Sequence, residues 1–301
     1  MPEYPDVVVY IERLRAHAGG QRLKRVRIGH IFLVRTAQPP IVAVEGLQLL
    51  DVERMGKRIV LAFENDLFLV LHLMISGRLE WHPTAVAVPK KRGLAAFDFD
   101  NGTLLLTESS TQKRASLHVV QGREALCDFD RGGLEVMEAT PGAFAAAIRA
   151  ESHTLKRTLT DPTILSGIGN AYSDEILHHA RLSPFLLSRN LTDAQMARLY
   201  DATRSVLAKF TERIRQEAGD SFPARVTAFR EDMAVHGRYG RPCPVCGTPV
   251  QRIQYAANDT NYCPTCQTEG RLLADRGLSR LLKDDWPRTL EELEERKRPR
   301  A

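Results

Sequence analysis

Apolar residues first recur at helical spacing in residues 5–16, where Pro5, Val7, Val8, Val9, Ile11 and Leu14 predict an amphipathic helix opening the chain. From 21 to 35 basic and apolar positions alternate instead, with Leu23, Val26, Ile28, Ile31 and Leu33 marking a half-exposed strand. Further strand-like runs occupy 41–55, 58–63, 67–75, 94–100 and 103–108, and His72 to Leu79 reads as strand throughout. The turns between them include Glu64-Asn65-Asp66 and the hairpin signal Asn101-Gly102. Short strands at this spacing predict a β-sandwich or barrel over residues 20–120.

Past Gly132-Gly133 and Pro141-Gly142 the period returns to that of helices, and 142–216 reads as helical almost throughout. Thr192 is placed to cap the last of these helices. Residues 217–240 form a mixed connection, and the tail EELEERKRPRA is a charge block expected to be solvated and frayed. The expected architecture is α+β. A β-rich domain fills 1–135 and a helical domain 136–235, followed by a four-cysteine hairpin over 236–270 and a charged extension over 271–301.

Composition narrows the function classes. Of 301 residues, 43% are hydrophobic and 26% charged, as in an ordinary globular protein. No apolar run approaches the roughly 20 residues that cross a bilayer. The start MPEYPDVVVYIERLR is acidic where a secretory signal would be basic, so neither export nor membrane insertion is expected. Lysine and arginine total 42 against 37 acids, a net charge of +5 that allows a polyanionic partner. Cys243-Pro-Val-Cys246 and Cys263-Pro-Thr-Cys266 are separated by 16 residues, a spacing suited to one tetrahedral zinc ion. Two redox CxxC motifs or a disulfide framework are the alternatives, though a cytoplasmic chain of this length does not need disulfides. Four thiolates leave no position for water, so a zinc ion here is structural. Cys127 stands alone and reads as a small buried or indifferent residue.

Four separated segments share one resemblance. They are the start Met1-Pro2-Glu3-Tyr4-Pro5-Asp6, Lys57 ahead of a strand, Ser166-Gly167-Ile168-Gly169-Asn170-Ala171-Tyr172-Ser173-Asp174-Glu175, and the four-cysteine hairpin. In this order the chain resembles the formamidopyrimidine-DNA glycosylase / endonuclease VIII family of base-excision repair enzymes over residues 2–267. The resemblance implies an N-terminal catalytic β-sandwich with an opening helix, a helix–two-turns–helix DNA-binding domain and a zinc ribbon. It also implies damaged DNA as partner (duplex, single-stranded or distorted), one structural Zn2+, a monomer, and a place in the bacterial cytoplasm or nucleoid.

The chemistry implied is that of a DNA glycosylase with AP lyase activity. Removal of Met1 makes Pro2 an N-terminal secondary amine, and a terminal amine with a pKa near 8 is partly unprotonated at neutral pH where a lysine is not. Attack on C1′ of a damaged nucleotide expels the base and leaves an iminium, whose electron sink acidifies C2′ and leads to strand cleavage. Glu3 beside it shuttles protons. Taken alone, Pro2-Glu3 reads as an ordinary helix start. By the resemblance, Lys57 contacts phosphate and assists β-elimination, while Glu175 lies near the terminal proline or is simply an exposed helix acid. Gly167 and Gly169 let backbone approach a phosphate at a helix N-terminus, with Asn170 and Lys156 as its ligands. Arg92 falls where relatives carry a phosphate-contacting histidine.

The sequence departs from the family pattern in three places. Asn258 stands on the zinc hairpin where an arginine clamps the flanking phosphates, so DNA binding or δ-elimination is expected to weaken. Among the residues that fill the gap left by a flipped base, Ile75 takes the methionine position with Met74 beside it; Arg114 remains and Ala115 replaces a phenylalanine. The loop that caps 8-oxoguanine corresponds to a shorter stretch, Ala218 to Val235, containing Phe222, Pro223, Phe229 and Arg230. Oxidised pyrimidines or ring-opened purines are therefore expected ahead of 8-oxoguanine. Bulky alkylated or crosslinked bases, and a non-catalytic damage-binding relative, are the alternatives.

Overall fold

The computed structural model describes the backbone of residues 1–224, 226, 230–255, 258–274 and 286–297, and the side chains of these except 255, 258, 294, 296 and 297. The chain divides into two compact units. Unit 1 comprises Met1–Gly133 and Leu207–Phe229, and unit 2 comprises Leu134–Val206 and Arg230–Ala301.

Unit 1 opens with helix α1 (Tyr4–Ala18), whose Val7, Tyr10, Ile11 and Leu14 are buried as the periodicity requires. Glu3 is its N-cap. The Glu3 side chain accepts the Asp6 N–H while Asp6 Oδ2 accepts the Glu3 N–H at 2.9 Å, a reciprocal capping box. Two antiparallel four-stranded sheets follow. One has the order β1 (Leu23–Ile28), β6 (Gly93–Phe99), β7 (Gly102–Glu108), β5 (Gly77–His82). The other has the order β2 (Leu49–Met55), β3 (Arg58–Phe63), β4 (Leu67–His72), β8 (Ser116–Gln121). Ile59, Leu61, Leu69 and Leu71 join the main core with α1 and Phe97, Leu104 and Leu106 from the first sheet. Val60, Ala62, Phe68 and Val70 face a second cluster with Val120 and Leu126. Burial on both faces explains why these strands read as unbroken apolar runs.

Two expected turns are kept, and three expected strand runs are broken or cut short. Asn65 and Asp66 both adopt left-handed backbone (φ 59° and 56°), making the tight hairpin between β3 and β4. Gly102 starts β7, and a Cβ there would lie 2.7 Å from the Trp81 ring, so the glycine serves close packing. The expected strand from His72 to Leu79 is broken, because Met74 turns left-handed (φ 52°) between β4 and β5. The 21–35 run is strand only to Ile28, with a short 3-10 turn at Ile31–Leu33, and the 41–55 run likewise begins as a 3-10 turn at Ile41–Val44. Strand β8 escaped the periodicity reading. Cys127 is exposed rather than buried.

Unit 2 contains α2 (Pro141–Ala150), α3 (Leu155–Thr160), α4 (Asn170–Ala180) and the first half of α5 (Asp193–Ala218), whose second half belongs to unit 1. Thr192 caps α5 as expected, its hydroxyl accepting the Gln195 N–H at 3.2 Å while its own N–H donates to Gln195 Oε1 at 2.9 Å. The hairpin β9 (Gln251–Tyr255) and β10 (Asn258–Tyr262), then α6 (Pro264–Thr268), complete the cysteine module. Residues 290–297 form helix α7 (Leu290–Lys297), where a frayed tail was expected; Thr289 caps it through the Glu292 N–H. Residues 298–301 lie outside the described residues.

Candidate active site and DNA-contact elements

In unit 1 the chain terminus sits in a charged, desolvated corner. Burial lowers the pKa of the terminal amine on Met1, Glu3 and Asp6 raise it, and Arg78 and Lys57 lower it again. Lys57 is itself pulled down by burial against the opposing charge of Glu3. Burial thus weakens the hold of each amine on its proton. Lys57 owes its place to the turn between β2 and β3. Gly56 supplies the left-handed residue (φ 61°), Arg54 Nη1 donates to Gly56 O at 2.9 Å, and the Arg54 guanidinium lies 4.6 Å over the Tyr4 ring. Pro2, Glu3 and Lys57 are therefore brought together, and Glu3, only 3% exposed, serves the helix cap at the same time. The sequence reading did not include Arg78 in this set.

The elements read as void-filling lie in the same unit. Ile75 is 49% exposed at the tip of the β4–β5 turn. His72 Nδ1 accepts the Met74 N–H at 3.0 Å and holds that turn, and burial with Arg58 and Lys57 nearby depresses the His72 pKa to about 4. Arg114 is exposed, with Nη2 2.6 Å from Gln112 Oε1. Ala115 faces inward and belongs to the core, so it offers the surface no substitute for a phenylalanine. Arg92 forms an exposed ion pair with Glu80 at 3.3 Å.

The segment after α5 is anchored at its start. Phe222 stacks on His17 (centroids 5.8 Å apart), which in turn stacks on Trp81 (5.2 Å), and Tyr10 Oη donates to Pro223 O at 3.3 Å. Phe222 is therefore packing, not a free cap. Phe229 lies outside the described residues. In unit 2, Arg230 is spent on Asp232, with contacts of 3.0 and 2.9 Å.

In unit 2, α4 holds the cysteine module along one side. Gly167 is left-handed (φ 82°), Gly169 is the extended N-cap, and Asn170 starts the helix with Nδ2 donating to Asp259 O at 3.0 Å. Asp174, fully buried, accepts from Lys156 Nζ (2.5 Å), His236 Nδ1 (2.8 Å) and both nitrogens of Asn261. Burial opposes its ionisation, yet Lys156 and His236 outweigh burial and hold the carboxyl below the usual range. Glu175 accepts the backbone N–H groups of Ala234, Val235 and His236 at 2.7, 2.9 and 2.9 Å. Burial raises its pKa against those three donors. The Glu175 carboxylate thus pins residues 234–236, in unit 2, whereas Pro2, Glu3 and Lys57 belong to unit 1. Lys156 has three hydrogens and three internal acceptors: Asn170 O (2.7 Å), Ser173 Oγ (2.8 Å) and Asp174. The side chain of Asn258 lies outside the described residues.

The four cysteine sulfurs lie within 4.8 Å of one another. Separations of 3.4 Å (Cys246–Cys263), 3.5 Å (Cys246–Cys266) and 4.0 Å (Cys243–Cys266) bracket the spacing of about 3.8 Å expected of four sulfurs around one zinc ion. The donor set therefore fits one structural zinc ion. His178 Nε2 stands 3.3 Å from Cys243 Sγ, tying the end of α4 to the same cluster. Asp174, His178, His236 and Asn261 had no role in the sequence reading. Their signal lay only in adjacency to the glycine turn and the cysteines.

Comparison with known proteins agrees along the chain. Residues 1–114 match the formamidopyrimidine-DNA glycosylase N-terminal domain, 135–219 the formamidopyrimidine-DNA glycosylase H2TH domain, and 240–268 the zinc finger found in FPG and IleRS. The formamidopyrimidine-DNA glycosylase of Thermus thermophilus is 35% identical over 279 residues, covering 90% of this chain and all of that protein. The crystal structure of the Fpg protein from Thermus thermophilus superposes with a TM-score of 0.72 at 33% identity, covering 88% of this chain and 98% of that one. The Lactococcus lactis Fpg in complex with abasic-site DNA shares the fold at a TM-score of 0.78 and 22% identity, covering 88% and 99%. Among the described residues no helix is long and apolar enough to cross a membrane.

Proposed function

The chain belongs to the formamidopyrimidine-DNA glycosylase family and is a DNA glycosylase of base excision repair, and from that premise we propose that it works as a glycosylase and AP lyase through a Schiff base on Pro2. What supports this reading is the buried corner where the chain start, Glu3 and Lys57 share one electrostatic environment. With Met1 removed, the Pro2 nitrogen attacks C1′ and gives up its proton to the Glu3 carboxylate, the bond from C1′ to the base breaks, and Glu3 passes that proton to the ring oxygen as the sugar opens or to the departing base. The resulting iminium acidifies C2′. Loss of that proton and cleavage of the C3′–O bond complete β-elimination, with the ammonium of Lys57 on the flanking phosphate.

Asn170 and the Gly167–Gly169 turn belong to the strand-gripping element in this reading, whereas Lys156, expected as a phosphate ligand, spends its three hydrogens on Asn170 O, Ser173 and Asp174 and supports that turn from within. Asp174 and Glu175 act as positioning residues, fixing the zinc module on α4 beside that turn. Ring-opened purines and oxidised pyrimidines are the proposed lesions. The 8-oxoguanine-capping role loses Phe222 and Pro223 to packing on α1, and loses Arg230 to Asp232. Asn258 in the arginine position makes β-elimination the main end point, leaving mostly a 3′-aldehyde rather than a 3′-phosphate.

Borohydride trapping on an abasic-site oligonucleotide tests the Schiff base. A covalent adduct mapped to Pro2 is expected, and Pro2→Gly abolishes or strongly reduces it. Trapping by protein that retains Met1 would overturn the Pro2 assignment.

A further inference from the structure

Two loops of unit 1 converge on one buried carboxylate. Glu108 ends β7 and is 1% exposed. Its Oε2 accepts the backbone N–H groups of Arg114 at 2.9 Å and Ala115 at 3.1 Å, and its Oε1 accepts the Ser76 hydroxyl at 3.3 Å. The Lys113 ammonium reaches the carbonyl oxygen of the same residue. Ser76 follows Ile75 in the β4–β5 turn, whereas Arg114 lies near the end of the irregular stretch between β7 and β8. One side chain therefore sets the separation of two segments that each cross from one sheet to the other, in opposite directions.

Burying a carboxylate is costly unless donors satisfy it. Here three uncharged donors do so, and the result is geometric: the exposed Ile75 tip and the exposed Arg114 are held in fixed register. Ordering a loop on binding subtracts from affinity, and a loop ordered beforehand avoids that loss. The need is sharper in this chain because Ala115 packs inward, leaving Ile75 and Arg114 to occupy the space of an extruded nucleotide.

We propose that Glu108 is a positioning residue that locks the β4–β5 turn to the 109–115 loop, so that Ile75 and Arg114 enter duplex DNA as one pre-assembled wedge. This rests on the reading of Met74, Ile75 and Arg114 as void-filling residues. A single strand has no stack to refill, so the lock acts on duplex substrates alone.

The test uses zinc-loaded full-length protein and an abasic-site analogue, presented in a single strand or in a duplex with 2-aminopurine opposite it. The wild type raises 2-aminopurine fluorescence on binding the duplex. Glu108→Ala is expected to lose most of that rise and to weaken duplex binding about tenfold, with single-strand binding changed by no more than about twofold. Glu108→Gln keeps one acceptor oxygen and falls between. Ser76→Ala removes only the tie to the turn and reproduces part of the fluorescence loss, which keeps the question open to measurement should Glu108→Ala not fold. A Glu108→Ala protein with wild-type fluorescence and duplex affinity overturns the lock, as does an equal loss on both substrates. A wild type giving no fluorescence rise overturns the wedge reading itself.

Discussion

Asp174 grips Asn261 twice, one carboxylate oxygen accepting both its backbone N–H at 3.1 Å and its side-chain amide at 3.0 Å. Since Lys156 and His236 converge on the same carboxylate, a single buried charge joins α3, α4, β10 and the approach to the first cysteine pair.

Asp174→Asn keeps the shape and removes the charge, leaving the Lys156 ammonium buried without its counter-ion. Breaking a buried pair in this way costs about 3–5 kcal/mol. Urea denaturation of the zinc-loaded protein is expected to show a loss of that size, with the midpoint shifted and the slope preserved.

Glu3 has a mechanical and a proposed chemical role that one substitution separates. Glu3→Gln retains a carbonyl oxygen for the Asp6 N–H, so stability is expected to change by less than about 1 kcal/mol. The rate on an abasic site falls about 10²–10⁴-fold, the size of a lost general acid or base. Thermal melting beside single-turnover cleavage reads both.

His72 makes the fold sensitive to acid. Its ordinary pKa of 6.5 falls to about 4 in the folded protein, so the native state holds it neutral. The unfolded chain binds the extra proton more readily, hence this contribution is complete above pH 6.5 and is lost as pH drops toward 4. The span is on the order of 1–3 kcal/mol after allowance for partial exposure. Because Nδ1 accepts the Met74 N–H, protonation also releases the left-handed turn beneath Ile75. Histidine NMR titration together with stability measured from about pH 7 to 4 checks this, and His72→Gln is expected to flatten the slope.

Removing zinc strips the support from residues that α4 holds. Chelation is expected to destabilise the protein by about 5 kcal/mol or more, since a structural site contributes its binding energy to folding. Loss of abasic-DNA binding accompanies it, and both return on adding Zn2+. Metal release monitored beside DNA binding should show the two falling together.

The chain showed different parts of this arrangement with different clarity. The cysteine pairs were plain because chelation demands spacing, and α1 was plain because its amphipathic period runs the length of the helix. The break at Met74 was hidden, since a non-glycine residue in left-handed backbone leaves no compositional mark and His72 supplies the compensating hydrogen bond. Strand β8 mixes His118 and Ser116 among its apolar positions and blurs the alternation. Glu175 could be read as an active-site acid or an exposed one; its three backbone partners lie about 60 residues away in sequence, beyond any local pattern. Asp174 was invisible for the same reason.

Helix α5 bears on how this protein can be cut. Its latter half and the segment behind it supply Arg215 to Glu12, the Asp220 carbonyl to His17 and Phe222 to Tyr10. An expression fragment ending at Gly133 would keep every strand of the sandwich yet leave the outer flank of α1 bare, an apolar and charged scar open to self-association. Supplying 207–229 in trans, or grafting it through a short linker, should restore solubility to such a fragment.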